Sequence, residues 1–83
     1  MSDTEQQIKD LVIEKLAEHI GVEKEDINLD DSFVDDLHLN TIEITDFLQK
    51  LSEHEIVIDE SEFENIDTVQ DLIEYILSQP GVI

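Results

Sequence analysis

The chain has 83 residues, which suffice for one small domain, so we expect residues 1–83 to form a single domain. Twenty-three acidic residues against four basic ones give a formal charge of −19, which repels nucleic acid and anionic lipid surfaces. Cysteine is absent, which excludes disulfides and thiolate chemistry, and no apolar stretch is typical of a signal peptide or a membrane span. We therefore expect a cytoplasmic protein whose partners present basic patches.

The first predicted helix covers about residues 3–19. Ser2 followed by Glu5 is a capping-box pattern, which is typical of a helix start. Five apolar residues then recur at helical spacing: Ile8, Leu11, Val12, Leu16 and Ile20. Gly21 suits the left-handed backbone conformation that ends many helices. Residues 23–32 are predicted to form an acidic connection that Ile27 and Leu29 attach to the core.

The connection leads into a segment of mixed apolar and acidic residues. Phe33, Val34 and Leu37 are predicted to face inward, and four acids are predicted to stay in water: Asp30, Asp31, Asp35 and Asp36. This acidic group lacks the glycine and the alternating spacing of an EF-hand loop. We therefore expect only weak and nonspecific binding of calcium or magnesium.

A second helix is predicted to begin after Asn40, which is a good N-cap when Glu43 occupies the third helical position. Its buried stripe consists of four residues at helical spacing: Ile44, Phe47, Leu48 and Leu51. Ile42 lies off that stripe, which favours exposure. A slight rotation of the helix would instead place Ile42 in the core.

The rest of the chain predicts two more helices. Residues 56–58 are interpreted as a buried connector, because a single strand would have no pairing partner. A short third helix between about residues 60 and 65 carries Phe63, with Ile66 nearby. Thr68 and Asp71 cap a last helix that carries Val69, Leu72, Ile73, Ile76 and Leu77, and that Pro80 and Gly81 end. Three long helices and one short helix predict an all-α fold, a small four-helix bundle.

The stretch Asp31-Ser32-Phe33-Val34-Asp35-Asp36-Leu37 and the following helix start resemble the acyl carrier proteins. In that family the frame continues with Gly, any residue, Asp, Ser and Leu, where this chain has His38 to Ile42. The likeness extends along almost the whole chain, including residues 66–69. It implies an acyl-carrier-type bundle that carries acyl groups as thioesters on a 4'-phosphopantetheine arm, in fatty acid, lipid or secondary metabolite biosynthesis.

The resemblance places the acceptor of the arm at Thr41. Thr41 keeps the hydroxyl of the family's Ser, but its extra methyl stiffens and crowds the attacking carbon, so we expect slower attachment. Asn40 replaces an Asp and removes one negative charge. His38 replaces a Gly, which costs backbone strain if φ is positive there.

The resemblance also implies docking to enzymes with basic patches, namely a phosphopantetheinyl transferase and acyl-transferring or synthase enzymes. The residues that match this docking role are Asp36, His38, Leu39, Asn40, Ile42, Glu43, Asp46 and Glu53. Leu39 is expected to add apolar surface, and Ile42 stands in the place of the family's Leu. Thr45, Gln49 and Lys50 are expected to narrow or polarise the cavity that holds the cargo. We expect a monomer.

Other interpretations remain open at this point. Thr41 fits equally an ordinary first-turn residue, in a carrier-derived interaction or regulatory protein that never takes the arm. A third hypothesis is an acidic inhibitor that mimics nucleic acid. His19, His38 and His54 do not form a metal-ligand pattern, and no catalytic constellation is present, so we expect no metal site and no enzyme activity.

Overall fold

The computed structural model describes residues 3–54 and 56–79. Its four α-helices are α1 (Asp3–Ile20), α2 (Thr41–Ser52), α3 (Glu60–Phe63) and α4 (Val69–Leu77). A single 3-10 turn, Lys24–Asp26, interrupts the predicted acidic connection. The described residues contain no β-strand, only one isolated bridge between Ser32 and Thr68. The all-α four-helix prediction is confirmed, whereas the predicted cap at Ser2 and the stop at Pro80 and Gly81 lie outside the described residues.

Helix α1 ends where the sequence predicts. The N–H groups of Gly21 and Val22 donate to the carbonyl oxygen of Ala17 at 2.8 and 3.0 Å. Gly21 has φ of 79°, a conformation that costs little without a Cβ atom. His19 lies in the last turn of α1. Helix α1 packs against both α2 and α4.

Sixteen of the described apolar residues form one buried core. They are Val12, Leu16, Ala17, Ile27, Phe33, Leu39, Phe47, Leu48, Leu51, Ile56, Ile58, Phe63, Val69, Leu72, Ile73 and Ile76. Phe33 lies at the centre, with its ring centroid 6.3 Å from that of Phe47 and 5.1 Å from that of Phe63. The interlocked rings join α2 and α3 to the segment that precedes α2, which explains why a chain of this size can form a closed core.

The segment before α2 is fastened to the start of α4. Phe33 N–H donates to Asp67 O at 3.0 Å, and Val69 N–H donates to Asp31 O at 3.0 Å. Residues 33–36 form a hydrogen-bonded turn, in which the N–H groups of Asp36 and Leu37 donate to Ser32 O at 3.1 and 2.9 Å. Phe33 is buried in the core, while Val34 is 58% exposed. The prediction that Val34 faces inward is wrong.

Two acids of this segment accept hydrogen bonds from the backbone. Asp31 Oδ2 accepts the N–H of Asn28 at 3.0 Å, and Asp36 Oδ2 accepts the N–H of Ser32 at 2.7 Å. Both bonds close local turns. These two carboxylates therefore shape the connection that leads to α2.

The connector between α2 and α3 alternates between buried and exposed side chains. Ile56 and Ile58 are buried, as predicted, but Val57 between them is 74% exposed. Helix α3 is shorter than the predicted range of residues 60–65, and it holds Phe63 in the core. Thr68 and Asp71 form the predicted reciprocal cap of α4, with Asp71 N–H donating to Thr68 Oγ1 at 3.1 Å.

In the part of the chain that the structure describes, no helix is both long and apolar enough to cross a membrane.

Candidate functional site

The start of α2 is fixed by a reciprocal pair of hydrogen bonds. Glu43 N–H donates to Asn40 Oδ1 at 2.8 Å, and Asn40 N–H donates to Glu43 Oε1 at 3.1 Å. The first intrahelical bond runs from Ile44 N–H to Asn40 O at 2.9 Å. The N–H groups of Thr41 and Ile42 precede that bond, so they add to the positive end of the helix dipole. The predicted cap is confirmed.

Thr41 is the first residue of α2, and its side chain is exposed. Its carbonyl oxygen accepts a hydrogen bond from Thr45 Oγ1 at 3.0 Å. Its side chain lies at the edge of a groove described below. A hydroxyl at a helix N-terminus is open to an approaching electrophile, and an anion formed there is favoured by the dipole and by free N–H groups.

The turn before α2 carries the one non-glycine residue with positive φ among those described. His38 has φ of 59°, so the strain expected for replacing Gly at this position is present. Its side chain is exposed. Leu39 follows with its N–H bonded to Phe33 O at 2.9 Å and its side chain only 4% exposed. The prediction that Leu39 adds apolar surface is wrong, because its side chain joins the core.

The outer face of α2 presents Ile42, Glu43, Asp46 and Glu53, all exposed. Ile42 is 72% exposed, which excludes the alternative that a rotated helix buries it. A contact from α1 reaches this face, where His19 Nε2 lies 2.9 Å from Glu43 O. The His19 ring also packs against Phe47, with ring centroids 6.2 Å apart. Together these two contacts fix the orientation of α2 relative to α1.

Asp36 precedes α2 and is also exposed. Its carboxylate is bonded to the backbone of Ser32, in the segment before α2. Apart from Leu39, which is buried, the predicted docking residues fall into three groups. These are the exposed face on α2, the exposed turn at His38 and Asn40, and Asp36, whose carboxylate binds the backbone of Ser32.

A groove of about 480 Å³ opens beside Thr41. It is lined by residues from α2, α3 and two connections: Phe33, Val34, Thr41, Ile44, Glu60, Phe63, Glu64, Asn65, Ile66 and Asp67. Beside this groove, the Thr45 hydroxyl also lies within hydrogen-bond distance of the Glu60 carboxylate on α3. Gln49 and Lys50 instead border a separate depression with His19, so the prediction that they narrow this cavity is wrong.

The acids of the groove were missed by sequence reasoning. Glu60, Glu64 and Asp67 follow Thr41 by 19 to 26 positions, and no local pattern brings them beside it. Among the described residues, no group of three or more His, Asp or Glu side chains could hold a metal ion.

An acidic helical bundle that exposes a hydroxyl at the start of its second helix, beside a groove, has the architecture of a carrier domain. The family described as the phosphopantetheine attachment site matches residues 10–76. An acyl carrier protein of Exiguobacterium sibiricum is 39% identical over 77 residues, which are 92% of this chain and 98% of that protein. The chain belongs to the acyl carrier protein family.

Membership of this family makes the chain a carrier and not an enzyme, with 4'-phosphopantetheine as the prosthetic group. The residues at the start of α2 fit that group. Thr41 offers an exposed hydroxyl, and the N-terminal end of the helix suits the phosphate that would be joined to it.

Proposed function

We propose that this protein carries acyl groups as thioesters on a phosphopantetheine arm joined to Thr41 Oγ1, in fatty acid, lipid or secondary metabolite biosynthesis. The observation that supports it best is the exposed hydroxyl of Thr41 at the first position of a capped helix. The arm supplies a thiol, and the protein supplies the attachment point, the docking face and the groove.

The attachment is a phosphoryl transfer. The Thr41 oxygen attacks the phosphorus of coenzyme A that bears the pantetheine, and a new P–O bond forms. The bridging P–O bond of the pyrophosphate breaks, and adenosine 3',5'-bisphosphate leaves with its electron pair. The hydroxyl proton passes to a base of the transferase. The first turn of α2 favours the product phosphodiester through its dipole.

Two side chains at the site modify this reaction. The methyl group of Thr41 restricts rotation about its Cα–Cβ bond and crowds the approach to phosphorus, which slows attachment relative to Ser. Asn40 preserves the helix cap, as an Asp would, but brings no charge to a basic transferase surface.

Docking relies on the exposed face of α2. Ile42 provides an apolar contact, while Glu43, Asp46 and Glu53 surround it with negative charge. Such a face steers basic enzymes into fast and reversible encounters, which suits a carrier that must pass between several of them. His38 and Asn40 are exposed just before Thr41 and would also contact the transferase.

A second candidate function is an interaction or regulatory protein that keeps this docking face and never takes the arm. The pairing of an uncharged Asn40 with a branched Thr41 favours it, since both changes weaken attachment and neither disturbs the face that carries Ile42.

The intact mass of the chain after incubation with coenzyme A and a broad-specificity phosphopantetheinyl transferase separates the two. The native chain, Thr41→Ser and Thr41→Val are compared over time. A gain on the native chain that is slower than on Thr41→Ser and absent from Thr41→Val supports attachment at Thr41. The Val variant also checks Ser32 and Ser52 as acceptors. A gain on the Ser variant alone supports the second function.

A further inference from the structure

The floor of the groove beside Thr41 is closed by two aromatic rings. Phe33 and Phe63 are both buried, and their ring centroids lie 5.1 Å apart. Ile44 and Ile66 complete the apolar part of the lining. An alkyl chain entering from Thr41 therefore meets packed rings and can pass deeper only by separating them, which a close-packed core resists.

A polar contact also joins α2 to α3 beside the groove. The Thr45 hydroxyl lies within hydrogen-bond distance of Thr41 O on its own helix and of the Glu60 carboxylate on α3. The hydroxyl has one proton, so it donates to one of these acceptors at a time. A long alkyl chain lying between α2 and α3 would have to separate Thr45 from Glu60 and lose this contact.

The charged groups that line the groove are all carboxylates. Glu60, Glu64 and Asp67 contribute carboxylates, and among the described residues that line the groove none is basic. An ionised carboxylate accepts hydrogen bonds and cannot donate them. A cargo with a donor group, above all a cationic amine, complements this rim, and a cargo that ends in a carboxylate is repelled by it.

We propose that this groove, acting on the cargo of the arm described above, selects short acyl groups that carry an amine and leaves long alkyl chains in solvent. Phe63 and Thr45 are the positions that set this specificity. The inference depends on the proposed function for its physiological meaning, since the arm brings the cargo to the groove. A tethered group has an effective concentration on the order of millimolar, so weak contacts with an exposed rim are enough to populate the bound state.

The test attaches the cargo chemically. The chain contains no cysteine, so Thr41→Cys creates a single thiol at the acceptor position. Haloacetamide arms of equal length are coupled to it, ending in a short amine, in a methyl group of the same size, or in an octyl chain. Backbone amide shifts in the NMR spectrum are then compared across the three adducts.

We expect the amine arm to shift the amides of Glu60 and Glu64 and the methyl arm to leave them in place. The shift should fall at high salt and in Glu64→Gln, but not in Glu14→Gln, which removes an equal charge from an exposed site on α1. The octyl arm should leave the amides of Ile44 and Phe63 in place. In Thr45→Val or Phe63→Leu, the same octyl arm should shift them.

Two results would overturn the proposal. One is an octyl arm that shifts Ile44 and Phe63 as strongly in the Thr41→Cys parent as in the Thr45→Val variant. The other is a methyl arm that shifts Glu60 and Glu64 as strongly as the amine arm. Thr45→Val has nearly the volume of the native residue, so the comparison holds even if Phe63→Leu loosens the core. Chemical coupling needs no transferase, so the result of this test does not depend on whether Thr41 accepts the arm enzymatically. Failure of the groove proposal and failure of the proposed attachment at Thr41 are therefore distinguishable.

Discussion

Ser32 joins the segment before α2 to the start of α4 through Asp67. Its hydroxyl donates to Asp67 Oδ1 at 3.3 Å and accepts the N–H of Asp35 at 3.1 Å. Ser32 is also the one polar residue among the described buried ones. The position of Thr41 depends on this link, because the linked segment leads directly into α2.

Replacing Ser32 with Ala removes both bonds of this hydroxyl. We expect the free energy of unfolding to fall by about 1 kcal/mol, since the partly buried N–H of Asp35 and the carboxylate of Asp67 each lose a partner. Thermal unfolding followed by circular dichroism measures the change. Ser61→Ala, at an exposed site on α3, is the control. Equal melting temperatures for the Ser32 variant and the native chain would mean that the link adds no stability.

Asn40 acts on helix stability and on attachment by different means. Asn40→Ala removes the acceptor for Glu43 N–H and should cost about 1 kcal/mol of stability. Asn40→Asp keeps the cap, so its stability should stay within about 0.5 kcal/mol of native. The Asp variant should nevertheless accept the arm faster, because it restores a charge that faces the transferase. Attachment kinetics by mass spectrometry and urea unfolding separate these effects, and an unchanged rate in Asn40→Asp would contradict the role of that charge.

His38 stores backbone strain in the turn before Thr41. His38 has φ of 59° and an exposed side chain. His38→Gly should therefore raise the free energy of unfolding by about 1 kcal/mol, because Gly adopts positive φ without strain. His54→Gly serves as the control, because His54 is also exposed but does not have positive φ. Urea unfolding provides the measurement. A loss of stability in His38→Gly would show that the His side chain contributes more than its backbone strain costs.

Tyr75 should titrate later than an ordinary tyrosine. Its hydroxyl donates to the Glu62 carboxylate, and this bond, with desolvation and the charges of Glu62 and Asp59, raises the pKa of Tyr75 from 10.0 to about 12. The folded state keeps the phenol proton where the unfolded chain has lost it. The stabilising contribution is therefore complete below pH 10 and disappears as the pH rises towards 12.

Tyr75 is the only tyrosine and the chain has no tryptophan, so ultraviolet absorbance reports its ionisation directly. Glu62→Gln should bring the midpoint back towards 10. Tyr75→Phe should remove its share of the stability that the native chain loses between pH 10 and 12. A native midpoint near 10 would mean that the bond to Glu62 does not persist in solution.

Local chemistry made the helix boundaries predictable. Asn40 with Glu43, and Thr68 with Asp71, are pairs three residues apart, and Gly21 needs only its own backbone freedom. The resemblance added the prediction that Thr41 is the acceptor, and this stays a prediction. Spacing also separated Ile42 from the buried stripe of α2, because helical periodicity fixes which side chains share a face.

Side-chain direction outside the helices was not predictable in the same way. Val34 and Leu39 are apolar residues of the same segment, yet Val34 is exposed and Leu39 is buried. Their directions follow from the hydrogen bonds of Phe33 to Asp67 and of Leu39 to Phe33, and from the positive φ of His38. The first of these bonds joins residues far apart in the sequence, so no local pattern contains it.

The sequence by itself determined the class of fold and the helix caps, because helical periodicity and capping depend on neighbours within one or two helical turns. Only the tertiary structure decided the shape and chemistry of the groove. Thr45 meets Glu60, Phe33 meets Phe63 and Ser32 meets Asp67 across separations of 15 to 35 residues. Such contacts form only when helices pack, since the packing of the whole core sets which distant side chains come within bonding distance.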